Sequence, residues 1–336
     1  MKIVYFDVET YEKEFLIKEN EGKHDYTLIC EPLNDLKKLA PNLVDADIIS
    51  VFTTSRVNKN VLKQFKNLKL ISLRSVGFNH IDIEYCKDHN IVVENSPDYG
   101  NQSVAEFALA LLMNVTRKIT SSYLEYKDAK ISAENLIGEE LYGKTIGIVG
   151  LGKIGTAFAK IAHGIGMNIL GFDIKQNKEL EKIYNVKYTD FDTLLKESDF
   201  ISIHAPMNKE NYHMFNKESF NKMKKSAILI NTGRGELIDT SALFNALVCK
   251  KIAGAGLDVL ENEQTMTDFD YMLGINRLDK LTLEQTIINS KMFQLDNVIL
   301  TPHIAYNTKE AIKRILNTTM NNINEFISGR IQNNVI

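Results

Sequence analysis

Three short segments carry the residue types that could hold, polarise and protonate a carbonyl group: Asn231-Thr232-Gly233-Arg234-Gly235, Leu257-Asp258-Val259-Leu260-Glu261-Asn262-Glu263 and Thr301-Pro302-His303. Reduction of a carbonyl that neighbours a carboxylate needs a fixed cation, an acid for the new alkoxide and a hydride donor above the carbon. Arg234 offers planar, permanently charged donors for the first task. His303 suits the second, because a nearby carboxylate such as Glu263 would favour its protonated form and fix its orientation. A hydride donor is not among the amino acids, so a cofactor must supply it. Singly, an Arg, a Glu or a His more often sits in a surface pair, and His24, His89, His163 and His213 stand in no motif and read as structural.

The three segments can meet because each follows a strand-like run, and strand ends converge on one crevice in an open α/β sheet. Runs at Lys2 to Phe6, Ile48 to Phe52, Lys69 to Leu73 and Ile91 to Glu94 alternate with amphipathic stretches, which implies a parallel sheet. An apolar helical pattern from Ser103 to Arg117 then marks a crossing to a second unit. Alternation resumes with TIGIVG, NILGFD, FISIHAP, AILINTG, GAGLDV and NVILTPHIA, and a helical stretch from Thr308 to Ile327 closes the chain. That last helix is expected to return to the N-terminal unit and make it discontinuous. The stretch Glu263 to Asp296 is polar, lacks proline and is too long for an ordinary loop.

Between TIGIV and a helical TAFAKIAHGIG lies the pattern Gly150-x-Gly152-x-x-Gly155. Gly150 would make the tight turn, Gly152 would let the backbone approach a pyrophosphate, and Gly155 would allow close helix packing. Asp173 follows 18 residues beyond Gly155, at the end of the next strand, where a carboxylate binds ribose hydroxyls and repels a 2′-phosphate. NAD is therefore expected over NADP.

Composition excludes several classes. With 40 basic and 43 acidic residues and a formal charge of −3, the chain has no net positive field for a polyanion, so nucleic acid is not an expected partner. Cys30, Cys86 and Cys249 form no CxxC pair, which speaks against a disulfide framework or a metal site and for a reducing, cytoplasmic compartment. The first residues meet charge too early for a signal peptide, and no stretch approaches the roughly 18 apolar residues of a membrane helix.

VGLGKIG, NTGRG, LDVLENE and TPHIA, in this order and spacing, resemble the D-isomer-specific 2-hydroxyacid dehydrogenase family. RSVGFNHID and NSPDYGNQSVAEFAL extend the likeness to the N-terminal half, in the D-lactate dehydrogenase and vancomycin-resistance dehydrogenase branch. The resemblance implies two doubly wound parallel-sheet domains, a Rossmann cofactor domain inserted in a discontinuous flavodoxin-like substrate domain. The expected boundaries are 1–100 with 303–336 for the substrate domain and 101–302 for the cofactor domain. It also implies a homodimer.

By matching motifs, Arg234 is similar to the family's substrate-binding arginine, Glu263 to the acid that partners the histidine, and His303 to the proton donor. Glu261 is then a nearby solvated charge. Backbone N–H groups of Val76 and Gly77 would bind the substrate carboxylate, Tyr99 would close over it, and Phe52 would meet the substrate's methyl group. Cofactor contacts carry over to Gly150, Gly152, Lys153, Ile154 and Gly155, to Asp173, Ala205, Pro206 and Asn211, and to Thr232, Gly233 and Asp258. The family's YSPNA reads here Tyr99-Gly100-Asn101-Gln102-Ser103, without the proline, and the segment after Glu263 matches no branch.

The expected reaction is NAD-dependent reduction of a small 2-keto acid, pyruvate first, to the D-2-hydroxy acid. The same chemistry on 2-ketoisocaproate or phenylpyruvate is the nearest alternative, since one methylene shifts preference by only about 1–3 kcal/mol. A formate dehydrogenase would need no acid beside its histidine, which Glu263 argues against. A dinucleotide-sensing corepressor would keep the fold without needing the Arg, Glu and His set.

Overall fold

The protein is described by a computed structural model for residues 1–34, 38–129, 133–261 and 280–336. Its contacts divide it into two compact units, Met1–Tyr99 with Thr308–Ile336, and Gly100–Asn307. The helix Lys309–Ile327, capped by the Thr308 hydroxyl on Ala311 N–H, thus returns to the N-terminal unit, while His303 falls in the second.

In the first unit β1 (Lys2–Tyr5), β2 (Asp25–Leu28), β3 (Ile48–Val51), β4 (Leu70–Leu73) and β5 (Val92–Glu94) lie in the order β2-β1-β3-β4-β5, all parallel. This is the flavodoxin-like order, with its reversal between β1 and β3. The IISV of β3 and the LISL of β4 are buried throughout, because helices cover both faces of a parallel sheet and leave no polar side. One face packs around Val4, Ile49, Ile71 and Val93, the other around Ile3, Tyr5, Ile48 and Leu316.

In the second unit β6 (Thr145–Val149), β7 (Asn168–Phe172), β8 (Val186–Tyr188), β9 (Phe200–Ile203), β10 (Ile228–Asn231), β11 (Gly254–Leu257) and β12 (Val298–Leu300) form one parallel sheet in the order β12-β11-β10-β9-β6-β7-β8. Here the order reverses between β6 and β9, so a ligand crevice is expected at their carboxyl ends. The helix Asn101–Arg117 buries Val104, Ala105, Ala108, Leu111 and Leu112 on this sheet and exposes Met113.

Two edge strands escape the sequence pattern. β2 reads DYTL with every residue half-buried or exposed, and β8 has three residues, so neither shows the apolar run that betrays a covered strand. Among the described residues no helix is long and apolar enough to cross a membrane.

Candidate active site

The glycine turn is shaped for a dinucleotide. Gly150 holds φ +88°, in the left-handed region, and a Cβ there would lie 2.6 Å from the Ala205 nitrogen. At Gly155 a Cβ would come within 1.9 Å of the Gly150 carbonyl oxygen, so only a hydrogen lets the helix pack so tightly. Gly152, in contrast, faces space with nothing within 4 Å of an added Cβ. It also caps the helix Lys153–Gly164 without a side chain, and a helix N-terminus is where oriented N–H groups meet an anion.

Asp173 stands directly after β7 and across this turn. Its Oδ2 accepts from Leu151 N–H at 2.6 Å and its Oδ1 from Lys175 N–H at 2.8 Å. The half-buried carboxylate therefore braces the glycine turn, and each oxygen keeps a lone pair for a ribose hydroxyl.

At the end of β9, His204 N–H donates to Val149 O and ties the segment to β6. Burial holds the His204 imidazole far below its usual range, at about 3, so it stays neutral and does not serve as an acid. Ala205 and Pro206 follow, and Asn211 closes their turn by donating from Nδ2 to Pro206 O at 2.8 Å and accepting from Asn208 N–H at 2.7 Å. Thr232 Oγ1, at the end of neighbouring β10, is buried without a partner. An orphaned hydroxyl at the carboxyl end of the same sheet as the glycine turn fits a bound dinucleotide that would satisfy it.

Arg234, Asp258 and His303 follow consecutive neighbours in the sheet. The register pairs Asn231 with Leu257 and Leu257 with Leu300, so the three segments leave the sheet side by side. Buried Asn231, which sequence reasoning passed over as a strand's last residue, donates from Nδ2 to Arg234 O at 2.9 Å and accepts Gly233 N–H at 3.0 Å. These bonds mould the loop, and the guanidinium folds back onto Gly233 O at 2.8 Å.

The buried carboxylate of Asp258, a residue also expected at the cofactor, holds the loop that carries His303. Oδ1 accepts from Thr301 Oγ1 at 2.5 Å and Ile304 N–H at 3.0 Å, and Oδ2 from Ala305 N–H at 2.8 Å. Desolvation raises its pKa, against the lowering effect of those donors and of nearby His303. His303 itself sits at φ +54°, a conformation rare for a residue with a side chain, and its N–H donates to Asp258 O at 2.9 Å and Thr301 O at 3.0 Å. The resulting loop presents the imidazole at an exposed position. Glu263, the expected partner of His303, lies outside the described residues.

One expectation fails. Glu261 is no solvated charge: it is 3% exposed and bonded to His213, Thr240 and Gln285. The sequence offered no cue, because a glutamate after a strand is as easily solvated as buried, and its partners are distant in the chain.

In the first unit Phe52 follows β3, Val76 and Gly77 follow β4, and Tyr99 lies five residues beyond β5, all at carboxyl ends of adjacent strands. The carbonyl of Val76 accepts from Asn95 Nδ2 at 2.8 Å and that of Gly77 from Ser75 Oγ at 2.7 Å. Tyr99 O accepts from Arg314 Nε at 2.8 Å, and Phe52 N–H donates to the Asp7 carboxylate at 3.2 Å.

Comparison with known proteins bears on this geometry. The family model of the D-isomer specific 2-hydroxyacid dehydrogenase NAD binding domain matches residues 109–305. D-lactate dehydrogenase of Escherichia coli is 34% identical over 98% of this chain and 98% of its own. A glyoxylate reductase of Thermococcus litoralis is 38% identical over 87% of this chain and 84% of its own. The crystal structure of a D-lactate dehydrogenase from Aquifex aeolicus, complexed with NAD and lactic acid, superposes with a TM-score of 0.83 at 34% identity, covering 97% and 96% of the two chains. With a built dinucleotide cradle, matched relatives over its whole length and the family's domain model in place, the chain belongs to the D-isomer specific 2-hydroxyacid dehydrogenases, in the D-lactate dehydrogenase branch, and is an NAD-dependent enzyme of that class.

Proposed function

We propose that the enzyme reduces pyruvate to D-lactate in the cytoplasm, as a homodimer. The observation that carries the chemistry is the pair of loops on β10 and β12, one bearing Arg234 and braced by Asn231, the other bearing His303 and braced by Asp258. When bound, NADH supplies the hydride. Arg234 holds the substrate carboxylate with two parallel donors and polarises the keto oxygen. His303, partnered by Glu263, gives its proton to that oxygen as the alkoxide forms. On the first unit, Val76 and Gly77 N–H groups are assigned to the carboxylate, Tyr99 to closure over it and Phe52 to the methyl group, which favours a small acid. Free Cys30, Cys86 and Cys249 support a reducing compartment.

Glyoxylate, the substrate named for the Thermococcus relative, and the bulkier 2-keto acids are the competing readings. Steady-state NADH oxidation with pyruvate, glyoxylate, 2-ketobutyrate, 2-ketoisocaproate and phenylpyruvate decides between them. Pyruvate is expected to have the highest kcat/KM and to give the D product on chiral analysis; a last place would end the lactate reading. His303→Ala should lower kcat by about 100- to 10,000-fold, the usual contribution of a general acid, with NADH affinity nearly intact. Equal loss of both would remove His303 from proton transfer.

A further inference from the structure

The buried Glu261 is built more elaborately than packing requires. Its Oε1 accepts from His213 Nε2 at 2.6 Å and lies 3.5 Å from Tyr212 OH; its Oε2 accepts from Thr240 Oγ1 at 2.6 Å, Thr240 N–H at 3.2 Å and Gln285 Nε2 at 3.2 Å. Even its carbonyl is used, accepting from buried Asn289 Nδ2 at 3.0 Å. An apolar side chain would fill the same space without desolvating a charge, so the carboxylate's use must lie in the geometry it imposes.

Two of these partners, Thr240 and His213, lead to the Arg234 loop. Thr240 ends that loop as the first residue of the helix Thr240–Val248. His213 N–H donates to Glu236 O at 2.9 Å, inside it, and Phe215 N–H to Leu237 O at 3.0 Å. At the loop's start Gly235 presses so closely on the turn that a Cβ would lie 2.1 Å from Leu260 C and 2.4 Å from Glu261 N. The Tyr212 ring stacks on His213 with centroids 3.9 Å apart and keeps the imidazole in line with the carboxylate.

We infer that Glu261, acting through His213 and Thr240, is a positioning residue that pins the Arg234 loop to the end of β11. Arg234 is thereby set in register with Asp258, whose carboxylate sets the His303 loop. This rests on Arg234 being the substrate-holding cation.

Glu261→Gln tests it, because the amide keeps one acceptor oxygen where the carboxylate has two and loses the charge, so His213 Nε2–H and Thr240 cannot both be held as donors. The expected result is a raised KM for pyruvate and a kcat/KM about 10- to 100-fold lower, the scale of an ångström of misplacement, with the NADH Kd by fluorescence within about twofold of wild type. His213→Ala should show the same split, and His213→Gln, which keeps a donor near the position of Nε2, should recover most of the loss. Wild-type kcat/KM in Glu261→Gln, or a parallel loss of NADH binding, overturns the inference. Should that variant fail to fold by circular dichroism, the His213 pair decides, and wild-type kinetics in both overturns it equally. Arg234→Lys separates the two readings: if it leaves kcat/KM unchanged, the role of Arg234 is wrong, whereas a loss there beside an unaffected Glu261→Gln refutes the pin alone.

Discussion

Asp258 orders the loop of the proposed proton donor from one buried carboxylate. Three donors from residues 301–305 converge on it, and they hold His303 at a left-handed backbone angle that the chain would leave if released. Asp258→Asn keeps the volume but turns an amide NH2 toward either Ala305 N–H or the Thr301 and Ile304 donors. The expected outcome is a kcat/KM for 2-keto acid lower by about 10- to 100-fold in steady-state assays. An unchanged value would mean that His303 is oriented by other contacts. Asn231 works in the same manner on the Arg234 loop, so both loops that carry the proposed reactive groups are held by a buried polar residue at or just past a strand end.

Among the elements, β5 carries a feature that its VVE sequence does not announce. The C-terminal residues lie antiparallel beside it: Val335 N–H donates to Val93 O at 2.9 Å, Asn95 N–H to Asn333 O at 3.1 Å, and Gln332 N–H to Glu94 Oε1 at 2.7 Å. This covers the sheet's edge and packs Val335 and Ile336 on the core. Glu94 beneath is fully buried, its Oε2 has no partner, and desolvation raises its pKa to about 7 against the single Gln332 bond. The folded state holds this proton more tightly than the unfolded chain, so the stability from Glu94 is complete below about 4.5 and is lost as pH rises through about 7. A shift of this size corresponds to about 3 kcal/mol. Thermal melts from pH 5 to 8.5 should therefore show wild-type Tm falling relative to Glu94→Gln, which keeps an acceptor for Gln332. Parallel curves would show that the tail relaxes and solvates the carboxylate.

For the whole molecule, the helix Ile119–Lys127 of the second unit buries none of its described side chains and exposes Ile119, Tyr123 and Tyr126 at spacings of four and three, one face of a helix. Such a face on a monomer invites a partner, and the proposed homodimer would give it one. Sedimentation at micromolar concentration should give twice the chain mass, and Tyr123→Glu should shift it toward the monomer. A wild-type monomer would rule the dimer out.

What the sequence determined alone was whatever depends on neighbours along the chain. Covered parallel strands read as apolar runs, helices as amphipathic ones, and the Gly150 turn is local enough that spacing and chemistry define it together. Membership of the family followed from motifs whose order survives without any coordinates. Tertiary structure decided the contacts that join distant segments: Asp258 to residues 301–305, Glu261 to His213 and Thr240, the tail to β5. Edge strands such as β2 stayed unread because half-exposed residues lack a pattern. The burial of Glu261 could not be read for a related reason: whether a carboxylate is solvated or desolvated depends on which donors the fold delivers to it, and no property of the residue or its neighbours records that.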